Sequence, residues 1–126
     1  MSEYALVTGG SRNIGRAICA RLAADGYRVF QLDQVAPEGD PHSEFIQVDM
    51  SDEAALATAL ETVTRSHEIT RVVNNVGMGH VASVDELSLT DFDMLMRINT
   101  RTAVQCTQAL LPAMRAAGFG RVVNLA

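Results

Sequence analysis

Short apolar runs rich in β-branched residues alternate with longer segments of helical periodicity along the whole sequence of 126 residues. This alternation is the feature that most restricts the fold, because a strand, a helix and a second parallel strand form a right-handed βαβ unit. Repeated units of this kind build a parallel sheet with helices on both faces. The sequence therefore predicts a doubly wound α/β fold with a five-stranded parallel sheet.

The strands and the first helix follow from local patterns. Five strands are predicted, at residues 4–8, 27–32, 44–48, 71–74 and 121–126. The first helix carries apolar residues at helical spacing from Ile14 to Leu22 and ends at Asp25-Gly26, where the glycine suits a helix stop. The polar segment 34–43 contains proline and glycine and is predicted to be a loop.

Two further helices are predicted. One opens at the polar cluster Ser51-Asp52-Glu53, which is typical of a helix start. The other is long, with Thr90 as its N-terminal cap and Gly118 and Gly120 at its end. One side of the long helix is expected to face the core, and it comprises Phe92, Leu95, Met96, Asn99, Ala103, Cys106 and Leu110.

The composition excludes several classes of function. A net charge of −5 argues against a general nucleic-acid-binding protein. No apolar run approaches the ~18 residues that a membrane span needs, and the N-terminus lacks the pattern of a signal peptide. The histidines show no metal-ligand spacing, and Cys19 and Cys106 are predicted to be buried thiols. We therefore expect one cytoplasmic domain over residues 1–126, with no metal, membrane or nucleic-acid partner.

The turn between the first strand and the first helix reads Thr8-Gly-Gly-Ser-Arg-Asn-Ile-Gly15. A glycine-rich turn lets backbone N–H groups approach a phosphate closely, and the helix N-terminus adds a dipole that favours an anion. Glycine is also common in purely structural turns. The location of this turn, between the first strand and the first helix, is what favours phosphate binding, because in a doubly wound sheet this turn borders the ligand site. The predicted nucleotide-binding residues here are Gly9, Ser11, Arg12, Asn13 and Ile14.

Two carboxylates follow the next two strands. Asp33 could accept hydrogen bonds from the adenosine ribose and would repel a 2′-phosphate, which favours NAD over NADP. Arg12 acts in the opposite direction, because a guanidinium can pair with that phosphate. Asp49 could reach the adenine amino group, and Met50 beside it is counted with the cofactor-binding residues. The alternatives are a solvated turn aspartate for Asp33 and a helix-approach residue for Asp49.

Together these residues resemble the short-chain dehydrogenase/reductase family over the whole chain. The segment Thr8–Gly15 is similar to the family's TGxxxGxG motif, and Asn74–Gly77 is similar to its NNAG motif. Asp49 matches the family's adenine-contacting aspartate. Asn99 matches the helix asparagine of an Asn-Ser-Tyr-Lys tetrad. Four such features in order, at suitable spacings, make the resemblance specific.

The resemblance implies a Rossmann-type sheet with the strand order 3-2-1-4-5. It implies that Asn75, Val76 and Gly77 lie along the cofactor, the alternative being a plain turn at a strand end. It gives Asn99 a catalytic part, in which it holds a water in a proton relay; the alternative is a structural asparagine bonded to nearby backbone. Asn13 replaces a motif glycine but tolerates left-handed backbone geometry, and Val76 replaces an alanine.

The serine and the Tyr-x-x-x-Lys pair that catalyse the family's reaction are absent from this sequence. All ten basic residues are arginine, so the pair cannot exist here. We expect the cofactor-binding half of an NAD(P)-dependent oxidoreductase, NAD being preferred, that acts on a small alcohol or carbonyl. More chain or a complementing fragment would complete it, since the fifth strand would otherwise be an exposed sheet edge. The resemblance also implies a homo-oligomer. The alternative is a non-catalytic nucleotide-binding or assembly fragment.

Overall fold

The computed structural model describes residues 3–39 and 42–126. Its strands are β1 (Glu3–Thr8), β2 (Tyr27–Asp33), β3 (Glu44–Gln47), β4 (Ile69–Asn74) and β5 (Arg121–Asn124). They form one parallel sheet with the order β3-β2-β1-β4-β5, which confirms the predicted fold class and strand order. The order reverses between β1 and β4, and such a reversal opens a crevice at the carboxyl ends of the strands.

Backbone pairing places several strand ends one or two residues from the predicted ones. β2 extends to Asp33 because that residue pairs with Gln47, which is also where β3 ends. β4 begins at Ile69, two residues earlier than predicted, because it already pairs with β1 there. β5 ends at Asn124 rather than at Ala126. Where a strand ends depends on which residue of the neighbouring strand it pairs with, and a local sequence pattern does not show that residue.

The helices are α1 (Asn13–Ala24), α2 (Glu53–Ser66), α3 (Leu89–Met96) and α4 (Thr102–Ala117), and a π-helical turn (Arg97–Arg101) joins the last two into one continuous helix. α2 begins where predicted, and the carboxylate of Asp52 accepts a hydrogen bond from Ala55 N at 3.0 Å. The predicted cap Thr90 is wrong, because Ser88 caps α3 through a hydrogen bond from Asp91 N to Ser88 Oγ at 3.1 Å. Thr90 already lies in the first helical turn, so it is too close to that N–H group to cap it.

Apolar residues are buried on both faces of the sheet. One face, covered by α2 and α4, holds the larger cluster, which includes Leu6 and Leu110. The other face, covered by α1, holds a smaller cluster of Val7, Cys19 and Val29. This two-sided burial is what the alternation of strands and helices predicts.

Both cysteines are buried, as predicted. Burial raises the pKa of the Cys106 thiol to about 12. A thiol with such a pKa stays protonated at neutral pH and packs like a small apolar side chain.

The apolar side predicted for the long helix is buried only in its second half. Cys106 and Leu110 are buried where α4 packs against β4. Phe92 and Met96, in contrast, are each 45% exposed, and Asn99 is exposed as well. Periodicity identifies an amphipathic helix. Which part of its apolar side is buried depends on the strands and helices that pack against that part.

No helix in the described part of the chain is both long and apolar enough to cross a membrane.

β5 lies at one edge of the sheet, and within residues 3–39 and 42–126 its pairing partner is β4 alone. Val122 and Val123 on this strand are 42% and 49% exposed. The structure thus has the exposed apolar edge that the sequence predicts for the fifth strand.

We expect Leu110→Ala to lower the free energy of unfolding by about 2–5 kcal/mol, because removing a fully buried side chain leaves a cavity. Leu89→Ala is the matched control: this leucine is 79% exposed, and its loss should change the free energy by less than about 0.5 kcal/mol. Urea unfolding of both variants measures the difference. Equal destabilisation would contradict the described position of α4 over the core.

Candidate functional site

The turn between β1 and α1 has the left-handed backbone expected at Asn13. Gly9 has a φ of 69° and Asn13 a φ of 52°, values that glycine and asparagine adopt more readily than other residues. Gly9 N donates a hydrogen bond to Leu32 O at 2.8 Å, which fixes the turn over the end of β2. Asn13 therefore preserves the turn although it replaces a motif glycine.

α1 approaches this turn so closely that Gly15 has no room for a side chain. A Cβ atom on Gly15 would overlap the carbonyl oxygen of Gly9, and it would lie 2.6 Å from Asn75 Nδ2. The first turn of α1 is thus held directly against the end of β1. Such close packing of helix on strand is the task of the last glycine in a dinucleotide-binding turn.

Hydrogen bonds join the ends of β1 and β4 across the turn. Thr8 Oγ1 accepts hydrogen bonds from the backbone N atoms of Asn75 and Val76, both at 3.0 Å. Asn75 Nδ2 donates back to Thr8 O at 3.2 Å and to Gly9 O at 3.1 Å. The two segments with predicted binding residues, 8–15 and 74–77, are therefore brought together at the carboxyl ends of the strands.

A cavity of about 280 Å³ lies at this junction, where the strand order reverses. Its lining contains most of the residues predicted to bind a cofactor: Gly9, Arg12, Asn13, Ile14, Asp33, Asn75, Val76 and Gly77, together with Gly15. Ser11, Asp49 and Met50 do not line it. Across residues 3–39 and 42–126, no three His, Cys, Asp or Glu side chains are grouped where they could hold a metal ion.

Asp33 is bonded into the wall of the cavity. Its Oδ2 accepts a hydrogen bond from Ser11 N at 3.1 Å, and its Oδ1 accepts from Gln34 N at 2.7 Å and Val35 N at 3.3 Å. Each carboxylate oxygen has about two acceptor positions, so Oδ2 can still accept a hydrogen bond from a ligand hydroxyl. A carboxylate in this wall favours hydroxyl donors and repels anions.

Among the described residues, no side chain caps the start of α1. Its N-cap residue Arg12 makes no capping hydrogen bond, and its first turn carries no acidic residue. α2 and α3, in contrast, are capped by Asp52 and Ser88. The first N–H groups of a helix attract anions, and Asn13 and Ile14 at this start line the cavity. The start of α1 is therefore open to an anionic group in the cavity.

Two of the predicted cofactor-binding residues have buried side chains beside the cavity lining. Ser11 donates its hydroxyl proton to Val35 O at 2.5 Å, and its Oγ accepts a hydrogen bond from Gln31 Nε2 at 3.0 Å. Met50 lies in the larger apolar cluster. Through its side chain, Ser11 shapes the turn, and Met50 packs the core.

Asp49 is exposed and lies outside the cavity lining. Its Oδ1 accepts hydrogen bonds from Ser51 Oγ at 2.7 Å and from Ser51 N at 2.9 Å. The hydroxyl bond first, and the backbone bond second, hold the pKa of Asp49 below its usual range. Asp49 therefore presents a charged carboxylate at neutral pH.

Asn99 lies in the π-helical turn, and its predicted burial is wrong because this part of the helix is exposed. Its side chain instead pairs with the backbone of Met78: Oδ1 accepts from Met78 N at 2.7 Å, and Nδ2 donates to Met78 O at 2.8 Å. A Cβ atom on Gly77 would lie 3.1 Å from Asn99 Oδ1, so Asn99 borders a residue of the cavity. These contacts match the backbone-bonding alternative, and the proton relay stays a prediction.

Sequence reasoning missed Gln31. This residue is fully buried in β2, where its Oε1 accepts a hydrogen bond from Gly10 N at 3.2 Å. A signal was available, since Gln31 is an amide between the apolar residues Phe30 and Leu32, and a buried amide needs partners. The sequence could not show that its partners lie in the turn after β1.

The sheet topology and the position of the cavity define a doubly wound α/β protein, the class whose ligands bind at the carboxyl ends of the strands. The model of one family, described as short chain dehydrogenase, matches residues 3–126. The chain belongs to the short-chain dehydrogenase/reductase family, which confirms the resemblance seen in its motifs.

The curated relatives include dehydrogenases and reductases. D-threitol dehydrogenase of Mycolicibacterium smegmatis is 32% identical, over 98% of this chain and 52% of its own length. Acetoacetyl-CoA reductase of Rhizobium meliloti is 30% identical, over 99% of this chain and 55% of its own length. The chain thus spans about half the length of the curated relatives it matches.

Solved structures share the fold. One, from Beutenbergia cavernae, is assigned as an NAD(P)-dependent gluconate 5-dehydrogenase with NADP bound at low occupancy; its TM-score is 0.90 at 27% identity, over 98% of this chain and 53% of that one. A metagenomic short-chain oxidoreductase in complex with NADP has a TM-score of 0.86 at 27% identity, over 97% of this chain and 60% of that one. The cofactor of the family is thus NAD(P), and these two structures do not favour NAD over NADP.

Gly15→Ala should push the start of α1 away from Gly9, because the added Cβ overlaps the Gly9 carbonyl oxygen. We expect a loss of about 1–3 kcal/mol in the free energy of unfolding, the usual range for overpacking. Gly79→Ala is the matched control, since open space surrounds Gly79. Denaturant unfolding of the two variants provides the comparison, and a stable Gly15→Ala protein would contradict the described packing.

Ser51→Ala should raise the pKa of Asp49 towards its ordinary value, because the variant loses the hydroxyl donor. The lowered pKa of Asp49 stabilises the fold above the ordinary aspartate pKa, and this contribution is lost as the pH falls through the lowered value. An NMR titration of the Asp49 carboxyl carbon measures the change. Ser66→Ala, at the other end of α2, should leave that titration unaltered.

Proposed function

We propose that this chain is the cofactor-binding part of an NAD(P)-dependent oxidoreductase that acts on a small alcohol or carbonyl compound. The observation that carries the proposal is the cavity at the strand-order reversal, which the uncapped start of α1 and the Asp33 carboxylate both border. An anion-binding helix start and a hydroxyl-accepting carboxylate on one cavity suit the pyrophosphate and the ribose of a dinucleotide.

Different residues along the cavity would bind different parts of the cofactor. Gly9 and the start of α1 hold the pyrophosphate, and Asp33 accepts hydrogen bonds from the adenosine ribose. Asn75 to Gly77 lie on the nicotinamide side, where Gly77 leaves the backbone accessible. Asp49 contacts adenine from outside the described cavity. When bound, the cofactor supplies a hydride donor or acceptor at nicotinamide C4.

NAD is the proposed cofactor, with NADP as the less favoured one. Asp33 lines the cavity and would repel a 2′-phosphate. Arg12 lines the same cavity and would attract that phosphate. We give Asp33 the greater weight, because its charge would act directly on the phosphate.

Proton transfer to or from the substrate needs groups that this sequence lacks. The family resemblance assigns that step to a serine and a Tyr-x-x-x-Lys pair, in which the lysine lowers the pKa of the tyrosine. We therefore propose that turnover requires residues from beyond these 126, in the same polypeptide or in a complementing fragment. Asn99 would support the proton relay, and its bonds to Met78 would hold the segment after β4 at the cavity edge.

A second candidate function is nucleotide binding or assembly without catalysis. The exposed valines of the edge strand β5 favour it, because an uncovered edge can pair with another chain. An assay of this chain together with the residues that would complete it, in one polypeptide or as a complementing fragment, against alcohols with NAD(P)+ and carbonyls with NAD(P)H separates the two. Formation or consumption of NAD(P)H supports the enzyme. Nucleotide binding without any turnover across the panel would favour the second candidate.

We expect Asp33→Ala to weaken NAD+ binding about tenfold and to weaken NADP+ binding less, because the variant loses ribose hydrogen bonds and a charge that repels phosphate. Arg12→Ala should act in the opposite sense and weaken NADP+ more than NAD+. Isothermal titration calorimetry measures the four dissociation constants. Asp93→Ala on exposed α3 is the control. Tighter binding of NADP+ than of NAD+ by the unaltered protein would contradict the proposed preference.

A further inference from the structure

We propose that Gln31 is a positioning residue for the cofactor: from inside the sheet, it holds Gly10 and Ser11 in the turn conformation that the pyrophosphate requires. This inference rests on the NAD(P)-binding function proposed above. It assigns a binding role to a side chain that does not line the cavity.

The surroundings of Gln31 make its hydrogen bonds necessary. Gln31 is fully buried in β2, directly opposite Val7 of β1 and two residues from Val29 on the same face. Val7, Val29 and Cys19 form the apolar cluster under α1. A buried amide in such surroundings destabilises the fold strongly unless it is hydrogen-bonded. The groups that hydrogen-bond to Gln31 therefore indicate its role.

Both partners of Gln31 lie in the turn between β1 and α1. Its Oε1 accepts a hydrogen bond from Gly10 N at 3.2 Å, and its Nε2 donates to Ser11 Oγ at 3.0 Å. The Ser11 hydroxyl donates a hydrogen bond to Val35 O at 2.5 Å, just beyond the end of β2. Gly10 and Ser11 lie between Gly9 and Arg12, two residues of the cavity lining.

Close packing leaves Gly10 little freedom to move. A Cβ atom on Gly10 would lie 2.7 Å from Cys19 Sγ and 2.8 Å from Gln31 Cβ, so the backbone of the turn rests directly on these two side chains. Asp33, two residues after Gln31, accepts a hydrogen bond from Ser11 N at 3.1 Å. Side chains of one strand thus bind the N–H groups of two successive turn residues.

These bonds fix the turn before any ligand arrives. The N–H groups of Gly10 and Ser11 are occupied by β2, which leaves those at the start of α1 as the donors for phosphate. A site held in its binding conformation loses less conformational freedom when the ligand binds. Affinity for the pyrophosphate therefore depends on Gln31, although Gln31 touches no ligand.

Gln31→Met in the intact protein tests the proposal, because methionine keeps the length and apolar packing of the side chain but makes neither hydrogen bond. We expect NAD+ and ADP-ribose, which carry the pyrophosphate, to bind about tenfold more weakly. Adenosine, which has no phosphate, should bind as before. Calorimetry for the first two ligands and NMR titration for adenosine give the dissociation constants.

Gln105→Met is the matched control. Gln105 is half-buried on α4, away from the turn, and its Nε2 donates a hydrogen bond to the backbone oxygen of Glu53 at 3.1 Å. Its loss should leave all three dissociation constants unchanged.

Hydrogen exchange without ligand provides a second measurement. In Gln31→Met the Gly10 amide should exchange at least about tenfold faster, while the amides of Leu6 and Leu32 keep their protection. If Gln31→Met does not fold, Ser11→Ala removes the acceptor of Gln31 Nε2 together with the hydrogen bond from Ser11 Oγ to Val35 O, and it leaves the Gln31 side chain in place. In Ser11→Ala, NAD+ and ADP-ribose should then bind about threefold more weakly, and adenosine should bind as before.

The outcomes separate this inference from the proposed function. Unchanged affinity of Gln31→Met for ADP-ribose, or an equal loss for adenosine, would overturn the positioning role and leave dinucleotide binding in place. If the unaltered protein binds neither NAD+, NADP+ nor ADP-ribose, the proposed function fails and this inference fails with it.

Discussion

The hydrogen bonds between the ends of β1 and β4 are the constraint on which the rest of the site depends. Thr8 Oγ1 and the Asn75 amide are 67 positions apart in sequence, yet between them they join both strand ends through four bonds. The crevice opens where these two strands end, and the four bonds add to the backbone pairing of β1 with β4 in holding its walls together. The position of Gly9 against α1, and that of Gly77 beside Asn99, both follow from this junction.

Polar groups around the cavity fall into two sets with different uses. The buried set, with Gln31 and the Ser11 hydroxyl, is hydrogen-bonded within the protein and fixes the turn from below. The other set, the first N–H groups of α1, has no side-chain partner in the described residues. Gln31 and Ser11 are thus hydrogen-bonded within the protein, whereas the N–H groups at the start of α1 remain available to a ligand in the cavity.

The strand order followed from the family resemblance. Most of the cavity lining was predictable from the residues, because the glycine turn, Asp33 and the 74–77 segment all follow strands whose ends a parallel sheet brings to one edge. Strand ends and the Ser88 cap were not, since they depend on which backbone partner each residue meets. Asn99 was expected among buried residues because periodicity shows which residues share a face of a helix, but not what covers that face. Met50 adjoins Asp49 in sequence, yet its side chain packs in the core.

The π-helical turn makes the spacing of residues within it as important as their identity. An α-helix advances about 100° per residue, whereas a π-helical turn accommodates extra residues in the same rotation. Residues of α3 are therefore out of phase with those of α4, so a stripe that is regular in sequence does not follow one straight face. Deletion of a single residue between Arg97 and Arg101 would let this segment close into a regular α-helix while α3 and α4 keep their relative orientation. The change would then fall on the residues of the turn itself, including Asn99 and its two hydrogen bonds to Met78.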